Sequence, residues 1–424
     1  MRLTPLCFLV KYATGRSGPF LEVAVAGFRD MDRLEDMALD GRRVLVRVDM
    51  DCPVDEYGRV SDDSRIQICL PTIRHLISEG ARVVLASSFG NAGGRRNGKL
   101  SLAPLAERLV EILDCDIYLP EDTVGEGPWK VIMERVEGEV VLLENLGFHA
   151  EDEKNDDLFA QRLCALADVY VNEAFRLSNR ELASTVGVAT WFNEKTVGLR
   201  FRKEFEMLSK VVSAGDSQLA VMFGGDDDGP AIEYLTNQLG RVQRAFVAGR
   251  AALPFYAAKG WGTGCVKVDR DRSEVAGKIM SRAALRGVDV LLPVDLAVKP
   301  AGAGDDDMRV VRSDSIPGDC EVMDIGPATA EAFGAGFRGV RTLAWHGGLG
   351  QTRQGRFDEG SSRVAKALIR CSASATVIGD EMSELVSKLV LTPFFAHVST
   401  GGDIGLEMML GRELPAVKAI CGGS

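Results

Sequence analysis

Apolar and polar positions along this chain alternate between two periods. Short apolar runs are each followed by a polar or glycine-rich break and then by a helical pattern. Arg42 to Val48 is the first strand-like run, and it stops at Asp49-Met50-Asp51-Cys52-Pro53. Ile66 to Glu79 carries apolar residues at helical spacing behind an Asp62-Asp63-Ser64-Arg65 cap. Strands are expected at 81–87, 139–143 and 169–171, and helices at 101–112 and 158–167. A helical run, Leu199 to Val212, leads into a second block of the same kind. Its strands are expected near 219–223, 245–248, 289–292, 342–345, 376–379 and 397–399. Alternation of strand and helix predicts parallel sheets covered on both faces. Ligands of such folds sit beyond the carboxyl ends of the strands, so the loops there are the candidates for chemistry.

The most informative break is Gly224-Gly225-Asp226-Asp227-Asp228-Gly229-Pro230, between the apolar run Leu219–Phe223 and a helix from Ala231. Strand, glycine turn and helix present backbone N–H groups to a phosphate. Three carboxylates in that turn repel one. A solvated acidic turn is the simpler reading, because the segment lacks the spacing and distal glutamate of a calcium loop. The triplet Asp305–Asp307 reads as a second solvated loop.

Composition narrows the function classes. The chain has 424 residues, enough for two domains, and a net charge of −11, which argues against nucleic acid as its partner. No apolar run reaches the ~20 residues of a membrane span. Nine cysteines occur singly, with no CxxC pair, as expected of reduced thiols in an intracellular compartment. Arg2, Lys11 and Arg16 precede the first acid, Glu22, so the N-terminal stretch reads either as an ordinary extension of a cytoplasmic protein or as a transit peptide for an organelle such as the mitochondrion.

Eight segments, in order, resemble the phosphoglycerate kinase family: Arg47-Val48-Asp49, Asp62-Asp63-Ser64-Arg65, Leu143-Glu144-Asn145-Leu146, Ala167 to Asn172, Ala183 to Gly187, Leu292-Pro293-Val294-Asp295, Asp324-Ile325-Gly326-Pro327 and Ser399-Thr400-Gly401-Gly402. The resemblance implies two Rossmann-like α/β domains with parallel sheets around an inter-domain cleft. Residues 1–27 would be an extension, 28–205 a 3-phosphoglycerate-type domain, 206–404 a nucleotide-type domain, and 405–424 a segment packing back on the first. It implies a monomer with Mg-ATP or Mg-ADP as cofactor and the glycolytic reaction ATP + 3-phosphoglycerate ⇌ ADP + 1,3-bisphosphoglycerate.

Carried over residue by residue, the family's pattern keeps Asp49, Arg65 and Arg180 for the sugar acid, and Gly224, Gly225, Gly401 and Gly402 for the nucleotide. The rest departs. The family's histidine and arginine fall at Ser88 and Asn91, a second arginine at Gly147, and a second histidine at Asn179. Its two glycine-turn lysines fall at Asp227 and Ala231, its ribose-binding glutamate at Arg353, and its magnesium aspartate at Met382. A triple glycine reads Ala248-Gly249-Arg250, which would push a long side chain toward the adenine. Arg176 replaces a family glycine and, with Arg95 and Arg96, could compensate. The bland use of Arg65 and Arg180 is ion pairing with Asp49 or Asp51. His346 and His397 are placed at strand ends, in structural rather than catalytic roles.

Phosphoryl transfer gathers several oxyanions and depends on positive charge. The losses therefore predict an impaired or inactive homologue, kept for binding, scaffolding or regulation, with no residue assigned as catalytic and none as a metal ligand. The alternatives are a working phosphoglycerate kinase with a rebuilt site, and a binder or enzyme for another anionic metabolite using Arg65, Arg176 and Arg180.

Overall fold

The computed structural model describes residues 27–214, 219–352 and 357–422. The targeting question at the N-terminus and the position of Arg353 lie outside the described residues. The chain divides into two compact units: one holds the described residues up to Glu206 together with 413–422, and the other runs from Met207 to Arg412.

In the first unit, strands β1 (Arg43–Arg47), β2 (Arg82–Ala86), β3 (Ile117–Tyr118), β4 (Val140–Leu142), β5 (Val169–Asn172) and β6 (Lys195–Val197) form one sheet in the order β3-β4-β2-β1-β5-β6. Every pairing in it is parallel. Val44, Val46, Val83, Leu85, Val140 and Val169 are all buried, as continuous apolar strands covered on both faces must be. Helix α1 (Ser64–Ser78) lays Ile66, Leu70, Ile73 and Leu76 on that sheet at helical spacing.

Helix α2 (Leu199–Val212) carries the boundary between the units. Its first turn is held by buried groups. Thr72 Oγ1 accepts from Leu199 N at 2.9 Å, and the Glu173 carboxylate accepts from Arg200 N at 3.0 Å and from Thr72 Oγ1 at 3.0 Å. Burial pushes the Glu173 carboxyl up to about 8. Gly198 is obligatory here, because a Cβ on it would sit 1.4 Å from Glu173 Oε2. Phe201 meets Phe175 edge-on at 5.0 Å, and Phe205 stacks on Phe28 at 4.2 Å. The last helix, α5 (Pro415–Cys421), belongs to the first unit through buried Ala416, Val417 and Ile420, with Ala416 N donating to Ser178 O at 3.1 Å.

In the second unit, β7 (Leu219–Phe223), β8 (Arg244–Val247), β9 (Asp289–Leu291), β13 (Thr342–His346), β14 (Ser374–Ile378) and β15 (His397–Val398) form a parallel sheet in the order β15-β14-β13-β7-β8-β9. Its core gathers Met222, Phe246, Phe333, Phe337, Trp345 and Val377. A feature the apolar pattern did not show is a three-stranded antiparallel sheet, β11-β10-β12, from β10 (Asp295–Pro300), β11 (Arg309–Arg312) and β12 (Cys320–Ile325). Only β10 and β12 contribute to the core, while β11 is largely exposed, so no apolar run marks it. The Asp305–Asp307 triplet is a 3-10 turn between β10 and β11, with Lys299 Nζ 3.1 Å from Asp305 Oδ1. His397 opens β15 instead of ending it, and its side chain is buried. No helix among the described residues is long and apolar enough to cross a membrane.

Candidate functional site

Each six-stranded sheet reverses its strand order once. In the first unit the chain builds outward from β1 through β2 on one side and returns through β5 on the other, so β1 and β5 flank the switch point. In the second unit β7 and β13 do the same. The crevice beyond the carboxyl ends of such a strand pair is where ligands of open α/β sheets bind.

At the first switch point, Arg65 Nη1 lies 3.2 Å from Asp49 Oδ2, and Arg176 Nε lies 3.6 Å from the same oxygen. Asp51 Oδ1 accepts from Gly90 N at 2.8 Å, so this acid braces the loop after β2 and does not pair with either arginine. Arg180 departs from the expected partners: it bonds both carboxylate oxygens of Glu153, at 2.5 and 2.7 Å, on a more exposed rim. Arg47, at the end of β1, is fully buried, donating from Nε to Ser184 Oγ at 3.0 Å and from Nη2 to Ser88 Oγ at 2.9 Å. Its charge is spent structurally, opposite buried Asp152, whose carboxyl is raised by burial and drawn back down by Arg47. Asn145 holds the loop together, accepting from Phe89 N and Gly147 N and donating to the Phe89 and Leu100 carbonyls. Arg95 and Arg96 are exposed.

The second switch point has the opposite character. A cavity of about 290 Å³ is lined by Gly224, Asp226, Asp227, His346, Glu381 and Asp403, among others. Several backbone donors of the glycine turns are taken within the chain. Gly224 N donates to His346 O at 2.9 Å, and Gly225 N donates to Gly348 O at 2.6 Å. Gly348 N donates to Glu381 Oε2 at 3.2 Å, and Thr352 Oγ1 bonds the other Glu381 oxygen. Helix α3 (Gly229–Gln238) starts at the acidic turn, and Asp227 Oδ1 accepts from its first residue, Gly229 N, at 2.9 Å. A carboxylate of the chain thus sits where the helix start would receive an anion. Gly401 N donates to Ser399 Oγ at 3.2 Å, and Gly402, at φ +58°, turns the chain so that Asp403 lines the cavity, its Oδ1 3.6 Å from His346 Nε2. Arg272 pairs with Asp228, outside this lining. Arg250 is exposed and is not among the residues that line this cavity.

These residues do not fit Mg-nucleotide. A carboxylate and a phosphate oxygen about 5 Å apart repel by roughly 3 kcal/mol at an effective dielectric constant of ~20, and among the described residues no lysine or arginine lines the cavity. Met382 lies on the buried face of helix α4 (Asp380–Lys388), within the core, and a thioether is a poor ligand for a hard cation. Among the described residues no group of three or more His, Cys, Asp or Glu is arranged to hold a metal ion.

Sequence reasoning missed Glu381, Asp403 and Glu153. Glu381 adjoins a position it did consider, Met382, but nothing in the spacing says that this side chain turns back to Gly348. Asp403 follows the Gly401-Gly402 turn directly and was open to notice. Glu153 lies in an acidic run, Glu151-Asp152-Glu153, with no signal separating the buried member from the one that captures Arg180.

A sequence model of the family described as phosphoglycerate kinase matches residues 34–412. The phosphoglycerate kinase of Anaeromyxobacter dehalogenans is 40% identical over 393 residues, covering 92% of this chain and 98% of that one. The phosphoglycerate kinase of Chlorobium limicola is 35% identical over 390 residues, with 91% and 98% covered. Among solved structures, the phosphoglycerate kinase of Coxiella burnetii superposes with a TM-score of 0.81 at 28% identity, covering 91% of this chain and 98% of its own. The match is end to end in these relatives and covers both parallel sheets. The chain therefore belongs to the phosphoglycerate kinase family and has its two-domain fold.

Proposed function

We propose that this chain is a phosphoglycerate kinase homologue with strongly reduced turnover, in which the sugar-acid crevice keeps an anion-binding role and the nucleotide crevice does not. The observation that carries the reading is the second switch point: the N–H groups of Gly224, Gly225 and Gly348 are bonded within the chain, and carboxylates line the space where phosphates would lie. Loss of one well-placed charge-stabilising donor costs about 10²–10³ in rate, and this crevice lacks several at once. Its small-molecule partners on this reading are 3-phosphoglycerate or a similar anion. The unpaired cysteines suit a reducing compartment, and we place the protein in the cytoplasm.

The second reading, an active kinase with a rebuilt site acting on 3-phosphoglycerate and ATP, is favoured by the 40% identity to a protein named phosphoglycerate kinase. A coupled assay with ATP and 3-phosphoglycerate, run beside the Anaeromyxobacter dehalogenans relative, separates the two, together with titration of ADP and ATP with and without Mg²⁺. The first reading expects turnover at least a thousandfold lower and no saturable nucleotide binding at millimolar concentration. Saturable turnover within tenfold of the relative establishes the second.

A further inference from the structure

We propose that a second copy of this chain docks on the open edge of the second sheet, each copy seating its Leu285 in an apolar groove of the other about a two-fold axis. The inference goes beyond the reading above and does not depend on it. It sets a dimer against the monomer that the family resemblance implies.

The groove follows from the strand order. β9 is the outermost strand of the second sheet, paired with β8 on one side, and among the described residues no strand pairs with its other side. The helices Arg270–Arg286 and Pro327–Gly336 flank that open edge. Gly336 lets the second helix come close, since a Cβ on it would sit 2.8 Å from Phe246 Cε1 and 3.2 Å from Leu291 Cδ2. Between the helices lies a groove of about 700 Å³. Met280, Ala283 and Ala284 form one wall, Ala335 stands on the other, and Val290 and Leu291 of β9 are the floor. Short side chains on both walls leave the space, and Ala284 and Ala335 are exposed at its lips.

Leu285 stands beside this groove, in the last turn of the helix that forms its first wall. It is 88% exposed, more than any other large apolar residue among the described residues. A knob and a hole on one face make that face complementary to itself, which is what a two-fold interface requires. The axis repeats the contact, so two leucines and two grooves leave water together. Seating one leucine multiplies an association constant by about tenfold or more, and the pair by about a hundredfold. The charges at the rim favour a copy of this chain over a partner of one sign. Asp289 is balanced by Arg244, 3.0 Å away. Glu331, Arg338 and Lys278 are exposed and make no ion pair among the described residues, so the rim offers both signs. Lys278 lies seven residues before Leu285 on the same stripe of its helix and enters with it, toward the helix that carries Glu331. At a net charge of −11 the chain repels its copies elsewhere, and a face of mixed sign is where they can approach.

The test is sedimentation of the full chain over about 1 to 100 μM, the range in which a weak interface of ordinary size assembles. The parent is expected to run as a monomer at the low end and as a dimer at the high end. Leu285→Glu and, separately, Ala335→Arg are expected to raise the dissociation constant at least tenfold, the first by spoiling the knob and the second by filling the groove. Both positions are exposed, so the melting temperature of dilute protein is expected to stay within a few degrees. Val310→Glu changes an exposed apolar residue of the same unit outside the groove and is expected to leave association unchanged. A parent that stays monomeric throughout overturns the proposal and leaves the groove to a different partner. A dimer that survives both Leu285→Glu and Ala335→Arg also overturns it, because the contact then lies on another face. No substrate enters these measurements, so fast turnover in the coupled assay removes the reduced-turnover reading and leaves this one standing.

Discussion

The two switch points are built alike and charged in opposite ways. Each lies beyond the carboxyl ends of two central parallel strands, β1 and β5 in one unit, β7 and β13 in the other. At the first, arginines from two elements converge on one acid. At the second, carboxylates from three segments line a cavity beside which the N–H groups of Gly224, Gly225 and Gly348 are already bonded. The difference teaches that strand topology makes a crevice and the side chains at its rim decide what enters. A strand–glycine–helix layout attracts phosphate only when its N–H groups are left for the ligand and no carboxylate of the chain takes the helix start.

The largest effects test how tightly each crevice is closed. A Cβ on Gly224 would sit 2.2 Å from the Gly348 carbonyl oxygen, and its nearest neighbours are all Gly347–Gly348 backbone, with no flexible side chain among them to yield. Gly224→Ala is expected to cost about 3 kcal/mol, read as a lower urea midpoint for the transition of the second unit. At the first switch point, a Cβ on Gly147 meets only Asn145 Oδ1 at 3.0 Å and Ala92 Cβ at 3.5 Å. Gly147→Ala is expected to cost about 1 kcal/mol or less. Equal losses in the two variants would break the contrast between a sealed crevice and an open one.

Next comes pH, because burial raises Glu173 in the first unit and Asp324 in the second far above the ordinary carboxyl range. Glu173 is pushed up to about 8 beneath the start of α2, and Asp324 to about 7, where its oxygens accept from Ile325 N and Gly360 N. Both titrate higher in the folded chain than in the unfolded one, so the folded state binds more protons between the two values. Their contribution is therefore complete below about pH 4 and is lost as pH rises to about 8 for Glu173 and about 7 for Asp324, with a slope of at most ~1.4 kcal/mol per pH unit per group. Urea titrations from pH 5 to 9 should show this fall. Glu173→Gln should flatten it in the first unit and Asp324→Asn in the second.

Much of this was legible beforehand for a physical reason. Strands covered on both faces need unbroken apolar runs, and Leu219–Phe223 announces β7 without help from the rest of the chain. The Arg65–Asp49 pair followed from a motif and a spacing. The antiparallel sheet was not legible, because β11 reads Arg-Val-Val-Arg with little burial and its neighbours are interrupted by glycine and aspartate. Nor was the capture of Arg180 by Glu153, 27 residues away, because pairing of exposed charges depends on the path of two loops and leaves no period in the sequence. The acids of the glycine turn were plain, but the internal bonding of Gly225 and Gly348 required coordinates.

A smaller effect sharpens the first crevice. Gly147 occupies the place of a family arginine and has room beside Ala92. Gly147→Arg adds a third cation there and is expected to tighten 3-phosphoglycerate about tenfold, equivalent to about 1.4 kcal/mol. No gain, with the fold intact by melting temperature, would mean that the anion sits elsewhere.

The smallest effect asks whether Arg180 is part of that crevice or only its rim. Its side chain is 45% exposed and that of Glu153 is 56% exposed, so the pair is well solvated despite its short contacts. Such pairs contribute ~0–1 kcal/mol and are screened by salt. Glu153→Gln should therefore change the melting temperature little. It also removes the charge that holds Arg180 outward. If the guanidinium then reaches the crevice, affinity for 3-phosphoglycerate rises a few-fold at low salt, and the rise disappears when Arg180→Ala is added. If affinity stays level, Arg180 is a rim residue, and the asymmetry between the switch points rests on Arg65 and Arg176 alone.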